Sequence, residues 1–153
     1  MTRAFAAPRR LVFDAWTRPE VVSRWLTGPA GWTMPVCTID LRVGGAYRYI
    51  LRHTDGHTMG MRGVYREIAG PERLVCTESF DDGHEDARLA AAMYPGEAVN
   101  TLTLVERDGI TTATIRVLSP SREIRDAVLA SGMEKGAGES MDRLDAIFAE
   151  QAR

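Results

Sequence analysis

The sequence predicts an α+β fold in which one antiparallel sheet is covered by a long C-terminal helix. Between residues 32 and 118, several segments alternate apolar and polar side chains with the period of two that strands have. Short turns rich in glycine separate these segments, and such turns join antiparallel neighbours. Residues 132–150 instead place apolar side chains three or four positions apart, the spacing of one helix face.

The composition is typical of a single globular domain spanning residues 1–153. Of these residues 44% are hydrophobic and 26% charged, with a formal net charge of −2. The basic residues form no dense patch, so we expect no nucleic-acid partner. The chain has no apolar run as long as a membrane helix, and its start lacks the apolar stretch of a secretion signal. We therefore expect a cytoplasmic protein with no membrane partner.

The first 30 residues predict one strand followed by two short helices. Residues 2–6 have the pattern of a strand, and Pro8 is suited to the first position of a helix. The sequence Thr-Arg-Pro at residues 17–19 breaks that helix. A second helix over residues 20–26 then ends before Gly28.

A meander of further strands comes next, with one interruption. The predicted strands cover residues 33–41, 46–53, 58–68, 73–80, 99–106 and 110–118. Residues 81–98 are too long for a hairpin loop, and we expect one or two helical turns over 87–93 and a lid role for the segment. Its acidic residues Asp81, Asp82, Glu85 and Asp86 predict a solvated surface. A short helix over 121–130 precedes the final helix, and the two are either separate or continuous.

Five stretches, taken in order along the chain, carry a resemblance to one family: APRRLVFDAWTRPEVVSRWL, DLRVGGAYRYILR, GVYREIAGPERLVCTESFD, YPGEA and SGMEKGAGESMDRLD. The sequence resembles the activator-of-heat-shock-protein-90-ATPase homologues, within the START and birch-pollen-allergen-like (SRPBCC) superfamily. The resemblance implies the helix-grip fold, a curved antiparallel sheet of about six to seven strands around a long C-terminal helix. It also implies a cavity between sheet and helix, where members bind lipids, hormones, polyketides or aromatic molecules.

The first turns of the final helix carry unusually little side-chain volume, with Gly132, Gly136, Ala137 and Gly138 close together. Glycine inside a helix costs about 1 kcal/mol relative to alanine, so this composition needs a reason. Our hypothesis is that these small residues leave open one end of a ligand cavity. Alternatively, Gly132 ends the preceding helix, and the other glycines allow close packing against a neighbouring segment.

The remaining walls of the expected cavity are inferred from strand alternation and from the position of large side chains. Aromatic rings and methionines suit an apolar site, because rings supply area and methionine adapts its shape. The alternative for each of these residues is a place in the ordinary core. The predicted ligand-binding residues are Trp25, Trp32, Tyr47, Tyr49, Met61, Tyr65, Glu78, Met93, Tyr94, Met133, Gly136 and Ala137.

Glu78 is the one acidic residue in this set. If Leu74, Cys76 and Phe80 point inward, alternation places Glu78 on the same face, whereas the opposite strand phase would leave it solvated. A buried carboxyl without a partner has a raised pKa and can act as an acid or a base, whereas a structural pairing with Arg62 or Arg73 is the alternative that we favour. We assign no catalytic residue.

Two other groups with chemical potential are explained by simpler roles. His53, Asp55 and His57 resemble metal ligands in their spacing, but Asp55 and Gly56 are explained by the hairpin turn and no third or fourth ligand is apparent. Cys37 and Cys76 are expected to be buried thiols rather than a disulfide. Glu67 is expected to hold a structural hydrogen bond or ion pair. We therefore expect no metal and no other cofactor.

The function that these features predict is the binding of a small hydrophobic or aromatic molecule in the cavity. One alternative is an enzyme of the polyketide cyclase or hydrolase type that uses the same cavity. Another is a co-chaperone-like module that binds proteins, although the full co-chaperones of the family carry a further N-terminal domain. Exposed strand edges make a homodimer possible.

Overall fold

The computed structural model describes residues 1–81 and 85–153. Its elements lie along the chain in the order β1 (Thr2–Phe5), α1 (Arg9–Thr17), α2 (Pro19–Trp25), β2 (Trp32–Ile39), β3 (Ala46–His53), β4 (Thr58–Ala69), β5 (Arg73–Phe80), α3 (Glu85–Met93), β6 (Ala98–Arg107), β7 (Ile110–Leu118), α4 (Arg122–Ala130) and α5 (Met133–Gln151).

One curved antiparallel sheet contains all seven strands of this set, in the order β1-β7-β6-β5-β4-β3-β2. Strands β2 to β7 therefore form a meander, and β1 closes the sheet by pairing with β7. Register shifts between Thr33 and Val36 and between Tyr65 and Glu67 bend the strands locally, as bulges do. The predicted helix-grip fold is confirmed.

The C-terminal turns of α5 provide the helix's main contact with the core. Leu144, Ile147 and Phe148 are buried there, and the ring of Phe148 meets that of Phe5 edge to face at 5.5 Å between centroids. The spacing of these residues places them on one face of the 19-residue helix, as its apolar pattern requires. Among the described residues, no helix combines the length and the apolar character needed to cross a membrane.

The two C-terminal helices are separate. Ser121 caps the start of α4, where its Oγ accepts a hydrogen bond of 3.2 Å from the backbone N–H of Ile124. Gly132 lies between α4 and α5 with φ of +80°, a left-handed conformation that glycine adopts without steric cost. The helix-ending role considered for Gly132 is therefore the one that the structure shows.

Candidate functional site

A cavity of about 480 Å³ lies between the sheet and the helices α4 and α5. Its volume is in the range of small-molecule sites, roughly 300–1,000 Å³. Strands β3 to β6 contribute the side chains Tyr47, Tyr49, Tyr65, Cys76, Glu78 and Asn100 to its wall. The helices contribute Val128, Leu129, Met133, Ala137 and Met141. Most of this surface consists of rings, aliphatic groups and sulfur.

Three tyrosines form a continuous ring surface on one wall of the cavity. The ring centroid of Tyr47 is 4.9 Å from that of Tyr49 and 5.5 Å from that of Tyr65. The hydroxyl of Tyr47 donates to the carbonyl oxygen of Thr77 at 2.6 Å, and the hydroxyls of Tyr49 and Tyr65 are close enough for each to affect the pKa of the other. Desolvation by burial raises the pKa of all three hydroxyls, so they remain neutral. Since its hydroxyl is already partnered, Tyr47 offers mainly apolar area to a guest.

Glu78 and Asn100 form a polar pair in this apolar wall. They come from the adjacent strands β5 and β6, and Asn100 Nδ2 donates to Glu78 Oε2 at 3.2 Å. Glu78 keeps some accessible area because it borders the cavity, but protein atoms surround its carboxyl and desolvate it. This desolvation raises the pKa of Glu78, and the hydrogen bond from Asn100 opposes the shift only in part.

The expectation of an arginine partner for Glu78 is wrong. Arg73 instead pairs with Glu67, with 3.1 Å between Nε and Oε1, which confirms the structural ion pair expected for Glu67. Asn100 Oδ1 is buried and has no hydrogen-bond partner within the described part of the chain. The pair therefore contains one unsatisfied polar atom beside the cavity.

The cavity opens to solvent beneath α4. None of the residues of α4 is buried, and Leu129 on this helix is 50% exposed. Met133 and Val117, which also line the cavity, are partly exposed at the same end. The charged lining residues Arg125 and Glu134 are exposed as well. A guest entering from this side would pass an apolar rim with two charges.

A second, smaller cavity of about 80 Å³ adjoins the first. Glu78, Val128 and Met133 line both spaces. The far wall of the smaller space includes Phe80 and Tyr94, whose rings lie 5.5 Å apart between centroids. Glu78 therefore lies in the wall of both cavities.

The structure brings together most of the predicted ligand-binding residues. The main cavity is lined by Trp25, Tyr47, Tyr49, Tyr65, Glu78, Met133 and Ala137. Met61 and Tyr94 line the smaller one. Trp32, Met93 and Gly136 line neither. Trp32 begins the edge strand β2 and packs on His53 with 5.1 Å between ring centroids, and Met93 is 56% exposed at the end of α3.

The hypothesis that Gly136 and Gly138 keep the cavity open needs correction. A Cβ at Gly136 would lie 3.0 Å from Pro29 Cδ, because the loop after α2 docks on this face of α5. Gly28 N–H donates to Ser140 Oγ at 2.9 Å in the same contact. A Cβ at Gly138 would meet no heavy atom within 4 Å, and this residue does not line the cavity. Close packing therefore explains Gly136, and the structure provides no reason for Gly138.

Sequence reasoning did not predict several residues that line the cavity, among them Asn100, Val128 and Leu129. Asn100 precedes the inward-facing Leu102 and Leu104 by two and four residues, so the alternation of β6 contains the signal that would have identified it. The α4 residues Val128 and Leu129 were not predicted either. Helical periodicity identifies an apolar face on α4, but it does not show which part of the molecule that face covers.

The acidic segment and the histidine turn are held by local polar contacts. The side chains of Asp82, Glu85 and Asp86 lie outside the described part of the structure. Asp81 is buried and forms an ion pair with Arg48, which corrects its assignment to a solvated surface. His53 and His57 each approach Asp55 through Nδ1, at 2.9 and 2.8 Å.

The contacts in the histidine turn lower the pKa of Asp55, the backbone N–H of His57 contributing most. In the described part of the chain, no three His, Cys, Asp or Glu side chains are arranged to hold a metal ion. Both cysteines are free thiols.

The curved sheet, the long helix and the cavity between them define a START-like helix-grip protein. The chain belongs to the family of activator of Hsp90 ATPase homolog 1-like proteins, whose family model matches residues 6–149. No curated protein matches the sequence.

Several solved bacterial structures share the fold over almost the whole chain. A protein from Rhodobacter sphaeroides is 30% identical with a TM-score of 0.85, the match covering 98% of this chain and 91% of that one. A protein from Arthrobacter aurescens is 27% identical with a TM-score of 0.82, covering 97% and 84%. One from Mycobacterium smegmatis is 25% identical with a TM-score of 0.80, covering 95% and 86%.

Proposed function

We propose that the protein binds a small hydrophobic or aromatic molecule in the main cavity. The observation that carries this proposal is the cavity itself, about 480 Å³ lined mainly by aromatic, aliphatic and sulfur-containing side chains. Protein interiors are normally packed as densely as organic crystals, so a space of this size under a core helix needs an occupant or a purpose. Apolar walls with a few polar groups are typical of ligand sites.

The residues of α5 distinguish this cavity from a packing defect. Ala137 lines the cavity, while Leu144 and Phe148 further along the helix are buried in the core. The helix thus packs firmly at one end and borders a space with an open mouth at the other. Such an arrangement can admit a guest without unfolding the core.

The proposal is tested by filling the cavity from α5. Ala137→Phe places a ring into the space, whereas Lys135→Phe adds the same ring at an exposed position that does not line it. We expect the neutral fluorophore N-phenyl-1-naphthylamine to brighten with the wild type and with Lys135→Phe. With Ala137→Phe its affinity should fall about tenfold or more, which corresponds to about 1.4 kcal/mol of binding free energy.

Thermal unfolding of each variant provides the control, because a loss of binding counts only if Ala137→Phe remains folded. Equal affinity of the fluorophore for the wild type and a folded Ala137→Phe would contradict the proposal. The absence of any fluorescence change with the wild type would contradict it as well.

A further inference from the structure

The pair Glu78 and Asn100 is incompletely hydrogen-bonded within the protein. The two side chains are joined by one hydrogen bond of 3.2 Å, and Asn100 Oδ1 is left buried without a partner. An amide has two donors and an acceptor, and a carboxyl has its own donor or acceptor sites, so a single bond leaves the pair incomplete. Even if the amide turned by 180°, one of its polar atoms would remain unpaired. Buried polar atoms are normally satisfied, and such an exception calls for an explanation.

Asn100 is the one described lining residue with a buried side-chain polar atom that lacks a hydrogen-bond partner. The hydroxyl of Tyr47 is bonded to Thr77, and the hydroxyls of Tyr49 and Tyr65 affect each other's pKa. In the pair, Glu78 borders both cavities and Asn100 borders the main one, so a guest in the main cavity lies against both residues.

The charges around the cavity argue against an ionic guest at this position. Among the described lining residues, the charged groups other than Glu78 are Arg125, Glu134 and the α-ammonium group of Met1, and all three residues are exposed. Arg125 already contacts Asp126 at 2.8 Å, and the Met1 ammonium donates to the carbonyl oxygen of Ile115 at 2.9 Å. A carboxylate seated beside Glu78 would be desolvated in an apolar wall and would face a second carboxyl group, which is unfavourable. An ammonium would require Glu78 to ionise inside an apolar wall, against the burial that raises the pKa of its carboxyl.

We propose that the guest is an uncharged ring molecule carrying a hydroxyl or a carbonyl oxygen that hydrogen-bonds to the Glu78–Asn100 pair, an inference that rests on the proposed ligand-binding function. A guest hydroxyl can donate to an oxygen of the Glu78 carboxyl, which borders both cavities, and a guest carbonyl can accept from this carboxyl when it is protonated. The surrounding tyrosine rings provide flat apolar area for the rest of the molecule. Discrimination arises because a guest without the oxygen leaves the Glu78 carboxyl with Asn100 as its one described partner in an apolar wall.

The test uses one ring system with different substituents. Naphthalene, 2-naphthol, 2-naphthoate and the 2-naphthylmethylammonium ion are titrated against the wild type by calorimetry or by displacement of N-phenyl-1-naphthylamine. We expect 2-naphthol to bind roughly three- to tenfold more tightly than naphthalene, the range of one net hydrogen bond. The two ions should bind more weakly than 2-naphthol.

Variants of the pair then separate recognition from simple apolar binding. Glu78→Met should reduce the ratio of 2-naphthol to naphthalene affinity to about one, with the affinity for naphthalene retained. Glu78→Gln should keep the preference, because a neutral amide still donates and accepts. Asn100→Val removes the amide that is bonded to the carboxyl, so it should reduce the preference, and it provides the measurement if Glu78→Met does not fold.

The possible outcomes distinguish this inference from the proposed function. If none of the four compounds binds the wild type, the proposed function fails together with the inference. If naphthalene binds but 2-naphthol binds no more tightly, or an ion binds best, the inference fails and the apolar site stands. A preference for 2-naphthol that survives both Asn100→Val and Glu78→Met would also overturn the inference.

Discussion

At the residue scale, the central feature is a carboxyl placed in an apolar wall. Alternation along β5 correctly placed Glu78 on the inward face, because side chains of a strand point to opposite sides in turn. Its partner was not predictable in the same way. Asn100 reaches Glu78 because β5 and β6 pair in a register that places Cys76 opposite Asn100. The register between two strands depends on which of their residues lie opposite each other in the tertiary structure. The sequence pattern of a single strand carries no information on this pairing.

Replacing Glu78 by glutamine should stabilise the protein at neutral and alkaline pH. Burial raises the pKa of Glu78 in the folded state, so the folded protein binds this proton more tightly than the unfolded chain does. The stability of the wild type should therefore be greatest below the ordinary pKa of a glutamate and fall as pH rises towards the raised value. Glu78→Gln cannot ionise, so its free energy of unfolding at pH 8 should exceed that of the wild type.

Urea unfolding at pH 4 and pH 8 measures this difference. At pH 4 the two proteins should have similar free energies of unfolding, because the wild-type carboxyl is then largely protonated in both states. Glu134→Gln, at an exposed position of the cavity mouth, is the control and should show no comparable gain. A wild type that is more stable than Glu78→Gln at pH 8 would show that the ionised carboxyl is stabilised in the fold.

At the scale of elements, α5 illustrates how the same residue type can serve different purposes within two turns. Gly132 adopts a left-handed conformation between two helices, and Gly136 leaves room for the loop that contains Pro29. At Gly138, an added Cβ would have no neighbouring heavy atom within 4 Å. The apolar spacing of residues 132–150 was sufficient to predict the helix. It was insufficient to tell a glycine that borders a cavity from one that borders another segment, because both leave the same gap in the pattern.

Alanine substitutions at two of these glycines should have different effects on stability. Gly138→Ala should raise the free energy of unfolding by about 1 kcal/mol, the helix-propensity difference, because its Cβ meets no neighbour. At Gly136 the same gain is offset by a Cβ only 3.0 Å from Pro29 Cδ, so we expect no gain or a loss. Urea unfolding of the two variants measures both values. Equal stabilisation by the two substitutions would mean that the loop yields freely and that Gly136 is not there for close packing.

At the scale of the whole molecule, contacts between the two ends of the chain close the fold. Arg3 on β1 lies between two carboxylates of α5, bonded to Asp142 Oδ1 at 2.7 Å and also to Asp145. These contacts join residues up to 142 positions apart and hold the final helix across the edge of the sheet. Arg18 and Glu20 form a pair of similar length, 2.6 Å, but between residues only two positions apart.

Removing the long-range ion pairs should therefore cost more than removing the local one. Arg3→Met should lower the free energy of unfolding by about 1 kcal/mol, the upper part of the range for exposed pairs, because one guanidinium serves two carboxylates in a network. Arg18→Met should change it by less than about 0.5 kcal/mol. The two variants are compared by urea unfolding at low and high salt, and the effect of Arg3→Met should shrink as salt screens the charges. If the Arg3→Met and Arg18→Met proteins had equal free energies of unfolding, the ion pairs of Arg3 would not be what holds the final helix across the edge of the sheet.

The sequence by itself determined the class of fold, the positions of the strands and helices and the face on which each strand carries its large side chains. These properties depend on local periodicity and turn chemistry, which neighbouring residues encode directly. A homodimer and a cytoplasmic location stay predictions.

The tertiary structure alone decided that Asn100 meets Glu78, that Pro29 occupies the gap at Gly136 and that a space remains beside Ala137. Each of these depends on how close segments far apart in the chain approach one another, and the packing of the whole molecule sets that distance.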